Sequence, residues 1–335
     1  MRKGDNKVNR GLQSRCDLLV NNNRIIRDSF KWESGLMSLA CAGLFAGEGK
    51  TADPERLKMC VKIVKENTGS LSDFRGNAKL PLICKMALAK DPAQYLMNVK
   101  AAYGLVQLNK WFGSAYQVMA AIAICGHAGD DQIEEYAAKT KEIFSRMKEK
   151  HPWLTSDEDI PFAAMLAVSD LDTDSLISEM EKNYEILKQK FSDKNAVQTL
   201  SHVLAIDKKQ PDEKCRKVIA VFDGLKERKH RFGTGFELAS LGALNMLDQP
   251  ADEIVDLIID ADEYLKGQMG FGDFTLGAKE RRLFAAQMAA DEYRTEENIG
   301  DHYVLLNGMM AYMICLEICM IIIMTSCISS ATTNS

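Results

Sequence analysis

The chain has 335 residues, of which 46% are hydrophobic and 27% charged, and its net charge is −5. This composition is typical of a globular protein with a large core. The negative balance argues against a general nucleic-acid binder, because such proteins normally present a basic face.

Nine cysteines are scattered along the chain without a CxxC pair. This odd number, in mostly apolar surroundings, indicates small buried residues in a reducing compartment rather than a disulfide framework. Residues 1–8 contain no apolar run, so we expect a disordered N-terminus without a secretory signal. These features together predict a cytoplasmic protein.

A short pattern returns along the chain: an aromatic residue or leucine, then small or polar residues, then an Ala-rich apolar run. The copies begin at Phe30, Leu71, Phe112, Leu154, Phe191, Phe232 and Phe271. Successive copies are 41, 41, 42, 37, 41 and 39 residues apart. Such a near-constant period is typical of stacked helical hairpins.

Each copy has the chemistry of a joint between two helices. Its Ser, Thr or Asp can accept hydrogen bonds from the free N–H groups at a helix start. Gly113, Gly233 and Gly272 are expected where the backbone turns sharply. Each copy should therefore end an outer helix and cap an inner one.

The outer helices are long, charged and amphipathic, and the second one is expected to open at Asp53-Pro54-Glu55. The inner helices are rich in Ala, Gly and Ser, which suits a layer packed on both sides. We therefore predict an all-α fold, with seven tandem hairpins in one domain at residues 9–299. Such an array forms either an open α/α superhelix or a closed α/α toroid, and the pattern does not choose between them.

The C-terminal region is strongly apolar, and residues 308–324 contain one charge, Glu317. We predict an apolar helix at residues 300–326 that covers the end of the array, followed by a disordered tail at residues 327–335. A membrane anchor is the alternative, but a span needs about 20 apolar residues and a mid-span carboxylate is expensive.

No motif for nucleotide binding or nucleophilic catalysis occurs, and no cofactor is predicted. None of the five histidines has a partner at metal-ligand spacing, so no metal site is predicted. His202 lies in an apolar stretch and is interpreted as a core residue with satisfied hydrogen bonds.

The polar joints supply the candidate ligand-binding residues: Asp73, Arg75, Asn77, Asp157 and Asp273. If the inner helices all start at one rim, carboxylates there could act as general acid and base. The free N–H groups of the same helix starts could instead hold an anion.

The stretches Asn67-Thr68-Gly69, Phe74-Arg75-Gly76-Asn77 and Leu80-Pro81 resemble a bacterial family of uncharacterised proteins that share a domain of unknown function. The similarity extends from about Phe30 to about Asp291. The resemblance implies a cytoplasmic bacterial protein of similar length and supplies no activity, so no catalytic residues are carried over.

Three functional hypotheses follow. The first is a scaffold that binds a protein or peptide on its concave inner face, since the chain has repeats but no catalytic signature. The second is an α/α-toroid enzyme or small-ligand binder that uses the rim residues. The third is a tail-anchored, membrane-associated protein.

Overall fold

The computed structural model describes residues 10–108, 113–126, 129–235 and 237–292, together with residues 312, 314–316 and 318. Within these residues it contains fourteen α-helices, three short 3-10 helices and no strand, which confirms the predicted all-α class. The predicted termini at residues 1–8 and 327–335, Phe112 and Glu317 lie outside the described residues.

The odd-numbered helices are α1 Arg10–Ser29, α3 Pro54–Asn67, α5 Pro92–Val106, α7 Ile133–Lys150, α9 Thr173–Leu187, α11 Pro211–Glu227 and α13 Ala251–Lys266. The even-numbered helices are α2 Gly35–Gly47, α4 Lys79–Leu88, α6 Ala115–Cys125, α8 Ile160–Ala167, α10 Lys194–Ala205, α12 Leu238–Leu244 and α14 Ala278–Glu292.

Side-chain caps and proline define several helix starts. Asp53 accepts a hydrogen bond from the N–H of Glu55, and Pro54 is the first residue of α3, as predicted. Asp91 caps α5 in the same way, ahead of Pro92. Proline suits this position because its missing N–H would have no partner within the helix.

The odd- and even-numbered helices differ in how they are buried. In α7 the buried residues recur three or four positions apart, so one face packs and the other meets water. In α2 every residue from 37 to 47 is buried, and in α8 the whole helix is buried. The even-numbered helices therefore form an internal layer, and the odd-numbered helices cover it.

Packing follows chain order and also joins the two ends of the described helices. Each odd-numbered helix packs on the even-numbered helix that follows it, and each also packs on the next odd-numbered helix. The even-numbered helices likewise contact one another in sequence. In addition, α1 packs on α13 and α14, and α2 packs on α14.

Specific bonds hold the first and last helices together. The Tyr264 hydroxyl on α13 donates to Oδ1 of Asp17 on α1 at 2.6 Å. Nε2 of Gln287 on α14 donates to the backbone carbonyl of Gly43 on α2 at 2.8 Å, in a buried position. The contact of α1 and α2 with α13 and α14 thus involves both odd- and even-numbered helices.

The described part of the C-terminal region is helical and buried. Tyr312 donates a hydrogen bond to the carbonyl of Met119 in the middle of α6. Ile314, Cys315, Leu316 and Ile318 have no exposed surface. Residues 314–316 are consecutive, so their side chains project in three different directions around the helix axis. The segment therefore lies inside the protein at these positions.

Among the described residues, no helix combines the length and the apolar character needed to cross a membrane.

Gly43 tests the contact between α2 and α14. A Cβ atom there would lie 2.6 Å from Oε1 of the buried Gln287, so Gly43→Val should displace the Gln287 amide from its hydrogen bond to the Gly43 carbonyl. We expect the free energy of unfolding to fall by about 2 kcal/mol, measured by urea denaturation.

Gly104 on the exposed face of α5 is the matched control. A Cβ atom there meets nothing within 4 Å, so Gly104→Ala should stabilise the protein by up to about 1 kcal/mol. Equal stability of the Gly43→Val variant and the wild type would show that this contact does not constrain the fold.

Candidate functional site

The five predicted residues lie in connections that run from an odd- to an even-numbered helix. Asp73 and Arg75 are in the 3-10 helix before α4, and Asp157 is in the 3-10 helix before α8. No hydrogen bond or ion pair among the described residues joins any two of the five. The described interactions do not assemble them into one polar cluster.

Asp73 is engaged by a tyrosine. The Tyr103 hydroxyl on α5 donates to Oδ2 of Asp73 at 2.6 Å. Burial, and then this hydrogen bond, raises the pKa of Tyr103, so the phenol stays neutral at pH 7. The pair links α5 to the 3-10 helix before α4.

Gly113 lies against this pair. A Cβ atom at Gly113 would collide with the Tyr103 hydroxyl and with Oδ2 of Asp73. Gly113 directly precedes Ser114, the N-cap of α6, and the sharp turn predicted for it stays a prediction. Glycine is required here because two side chains approach the backbone closely.

Arg75 secures the end of α3. Its Nε donates to Oγ1 of Thr68 at 3.0 Å, and Nη2 donates to the carbonyl of Thr68 at 2.6 Å and to that of Lys65. Carbonyls in the last turn of a helix have no partner within the helix, so they need such donors. These bonds account for an arginine in this joint, and a ligand-binding role for it stays a prediction.

Asn77 and Asp157 are exposed. Within the described part of the chain, neither side chain has a hydrogen bond or an ion pair. Their predicted role in ligand binding stays a prediction.

Asp273 is exposed but binds a buried arginine, in an ionic network between α13 and α14. Arg281 is 1% exposed. Its Nη1 donates to Oδ1 of Asp273 at 2.7 Å, and its Nε to Oδ1 of Asp262 at 2.6 Å. The bond from Arg281 lowers the pKa of Asp273. Arg282 binds the other oxygen of Asp262 at 3.0 Å.

This network includes the candidate metal cluster of the described residues, which consists of His230, Asp262 and Glu263. Nδ1 of His230 is 2.9 Å from Oδ2 of Asp262, whereas Nε2 faces Glu263 at 3.6 Å. Two guanidinium groups already bind the two Asp262 oxygens. The cluster is therefore a charge-balanced contact between α13, α14 and the joint before α12, which carries His230. It does not suit a metal ion.

Asp262→Asn tests this network. The change leaves two guanidinium groups facing a neutral amide, one of them deeply buried, and breaking a buried pair costs about 3–5 kcal/mol. We expect a loss of that size in the free energy of unfolding, measured by chemical denaturation.

Asp273→Asn is the control, since Asp273 is exposed and a surface pair contributes about 1 kcal/mol or less. If Asp262→Asn lowered the free energy of unfolding as little as Asp273→Asn does, Asp262 would not be the centre of the network.

Asp159 was not among the predicted residues, although it directly precedes the apolar run of α8. It is 6% exposed, and its Oδ2 accepts a hydrogen bond from the N–H of Ser156 at 2.9 Å. Burial raises its pKa from 3.8 to about 7. The sequence feature that could have identified Asp159 is a carboxylate at the boundary between a polar joint and a wholly apolar run.

Asp159 should make stability depend on pH. Its folded pKa of about 7 exceeds the unfolded value of 3.8, so the folded state retains the proton and loses stability as the pH rises between these values. One pKa unit corresponds to about 1.4 kcal/mol. Between pH 5 and pH 8 the wild type should lose on the order of 2–3 kcal/mol relative to Asp159→Asn in urea denaturation.

Asp157→Asn removes the same charge at an exposed position two residues away and should leave the pH profile unchanged. Parallel profiles for the wild type and Asp159→Asn would contradict the assignment.

His202 is buried, as predicted, but its Nδ1 has no hydrogen-bond partner within the described part of the chain. Burial lowers its pKa to about 3, so the imidazole is neutral at pH 7. A general base works best with a pKa near the operating pH. His202 therefore does not fit that role.

The interior also holds a grouping of buried thiols. The Cys41 thiol on α2 interacts with the thiols of Cys315 and Cys84, and its pKa is raised mainly by burial and then by these two neighbours. Cys84 is on α4. The C-terminal segment thus meets two even-numbered helices at one thiol cluster. Sequence spacing did not reveal it, because the cysteines come from three distant segments.

Apolar side chains also project from the joints. Five of them are at least 95% exposed: Trp32, Leu71, Trp153, Met269 and Phe274. All five lie between an odd-numbered helix and the even-numbered helix that follows. The joints therefore present both the predicted polar residues and isolated apolar side chains to solvent.

These features define an all-helical protein with two layers of helices and C-terminal residues inside its core. A family model described as "Protein of unknown function (DUF4003)" matches residues 22–324. The chain therefore belongs to the DUF4003 family. The matched region includes residues 312–318, so the family domain includes the buried segment. Comparisons with curated proteins and with solved structures gave no significant match.

Proposed function

We propose that the protein is a binding scaffold in which seven helical hairpins form a closed α/α ring, and that the ring receives an apolar helix in its centre. The observation that carries this proposal is the complete burial of the described residues 314–316 and 318. In this view the C-terminal segment is the resident ligand of the ring.

The pattern of helix contacts supports a closed ring. Every odd-numbered helix has an odd-numbered neighbour on each side when α13 and α1 are counted as neighbours. Every even-numbered helix likewise has two even-numbered neighbours when α14 and α2 are counted. An open superhelix would leave the first and last hairpins without such contacts.

The size of such a ring supports a single helix as its occupant. Packed helices lie about 8–10 Å apart. Seven helices at about 9 Å spacing place their axes about 10 Å from the centre, which is close to the separation needed to pack one more helix there. A ring of this size with one helix at its centre has little room for a small-molecule pocket.

The other hypotheses have less support. An enzyme of the toroid type would need an open interior or a convergent set of carboxylates, whereas Asp73 and Asp273 are engaged by different partners. A tail anchor would keep the C-terminal segment available to a membrane, whereas the described residues of the segment are buried against protein.

The test begins with the folded full-length chain. A protease site replaces residues 295–300, and the purified protein is cut so that the tail stays only by non-covalent contacts. A labelled peptide of residues 303–326 is then added in excess under native conditions. We expect the peptide to replace the resident tail and to elute with the ring in size-exclusion chromatography.

A peptide with Ile314→Asp and Leu316→Asp is the matched control and should not bind, because each change buries a carboxylate without a partner. A cut tail that never exchanges would make the segment a permanent part of the core and would refute the binding function.

A further inference from the structure

A pocket lies between two consecutive joints, the one before α10 and the one before α12. Its volume is about 520 Å³, which is in the range of small-molecule sites. Three cations, three phenylalanines and two hydroxyl residues line it, without a carboxylate. This joint pocket therefore combines positive charge with aromatic surface, a combination that suits an anion with an aromatic group.

The phenylalanines form an apolar wall of the joint pocket. The rings of Phe191 and Phe222 meet edge to face, with their centroids 5.0 Å apart and their planes at 89°. Phe191 and Phe232 are 6% and 5% exposed, whereas Phe222 is half-buried. Packing thus holds the wall in place, and Phe222 keeps accessible surface on which a ligand ring can stack.

The cations of the joint pocket divide into a paired one and two others. Lys190 binds both oxygens of Asp223 at 2.7 Å, so it neutralises the carboxylate next to Phe222. Lys226 and Arg231 are exposed, and neither is in an ion pair with any residue that the structure describes. Lys226 follows Phe222 by four residues on α11, so the two side chains share one face of the helix. A ligand that stacks on Phe222 therefore has a cation beside it.

The backbone of Arg231 is fixed. Its carbonyl accepts a hydrogen bond from Nη1 of Arg282 at 2.6 Å, and the neighbouring Phe232 is anchored in the core. An arginine guanidinium can bind a phosphate through two parallel hydrogen bonds. Ser192 and Thr234 add one hydroxyl from each joint. A phosphate offers three acceptor oxygens to such a set of donors, which is one more than a carboxylate offers.

The sequence distinguishes these two joints from the other five. The residue directly before the leading aromatic or leucine of the repeat is a cation only at Lys190-Phe191 and Arg231-Phe232. In the other copies this residue is Ser29, Ser70, Trp111, Trp153 or Gly270. The repeat therefore does not need a cation at this position, and the two that occur both line the joint pocket.

We propose that the joint pocket binds a phosphate monoester that carries an aromatic ring, with the phosphate between Lys226 and Arg231 and the ring against Phe222. The pocket contains no residue of the C-terminal segment. Phosphate-ester binding and peptide binding therefore succeed or fail in separate experiments.

The experiment uses the full-length protein and phenyl phosphate as the probe. Saturation-transfer NMR on the ring protons of phenyl phosphate reports its binding, and displacement gives the affinities of inorganic phosphate and adenosine 5′-monophosphate. We expect phenyl phosphate to bind with a Kd of about 1 mM or lower. Inorganic phosphate lacks the ring and should bind at least about fivefold more weakly. Tighter binding of adenosine 5′-monophosphate than of phenyl phosphate would assign the site to a nucleotide, and the reverse to an aryl phosphate.

Three variants assign the binding to this pocket. Arg231→Gln should weaken the binding of phenyl phosphate by about tenfold, because it removes charge-assisted hydrogen bonds, and Lys226→Gln should weaken it by about threefold or more. Phe222→Leu should weaken the binding of phenyl phosphate and leave that of inorganic phosphate unchanged. Arg216→Gln is the matched control, because Arg216 is an exposed cation of α11 that does not line the pocket.

Three results would each overturn the proposal: no binding of phenyl phosphate to the wild type, equal affinities for phenyl phosphate and inorganic phosphate, and equal binding by Arg231→Gln and Arg216→Gln. The substituted cations are exposed, so these variants should unfold at the same urea concentration as the wild type. That comparison separates a lost ligand from a lost fold.

Discussion

The even-numbered helices are buried along most of their length, and the arrangement of the other elements depends on that constraint. In α2, residues 37–47 are all buried, and α8 is buried along its whole length. Complete burial of one large aliphatic side chain contributes about 1.5–3 kcal/mol. Each even-numbered helix is covered on one side by odd-numbered helices and on two further sides by its even-numbered neighbours. The remaining side also needs a cover, and the buried C-terminal residues are suited to provide it.

The same constraint explains the small residues of the inner layer. A Cβ atom at Gly242 on α12 would lie 2.8 Å from Cδ1 of Leu200 on α10. Close packing at this density leaves no space for a larger residue without movement of a neighbouring helix. The Ala- and Gly-rich runs of the even-numbered helices therefore follow from close packing in the inner layer.

Local features of the fold were predictable because their signals lie close together in the chain. The cap at Asp53, the amphipathic odd-numbered helices and the apolar even-numbered helices all follow from local residue chemistry. The family assignment was also accessible, through the stretch around Arg75. The polar network was not, because Asp262, Arg281 and Asp273 come from different segments, and the burial of Asp262 and Arg281 depends on tertiary packing. Likewise, Arg75 carries no sequence mark that distinguishes a residue holding a helix end from one binding a ligand.

The position of the C-terminal segment was the hardest feature to predict, because hydropathy measures how apolar a segment is and not what surrounds it. In the proposed ring, seven inner helices leave a centre slightly wider than one ideally packed helix needs, whereas six would match the packing distance. A central helix of small residues would leave voids there, and voids cost stability. The segment is rich in Met and Ile instead, with Met309, Met310 and Met313 close together in the sequence. Long, flexible methionine side chains fill irregular space well. The composition that suggested a membrane anchor thus also suits a central helix in the proposed ring.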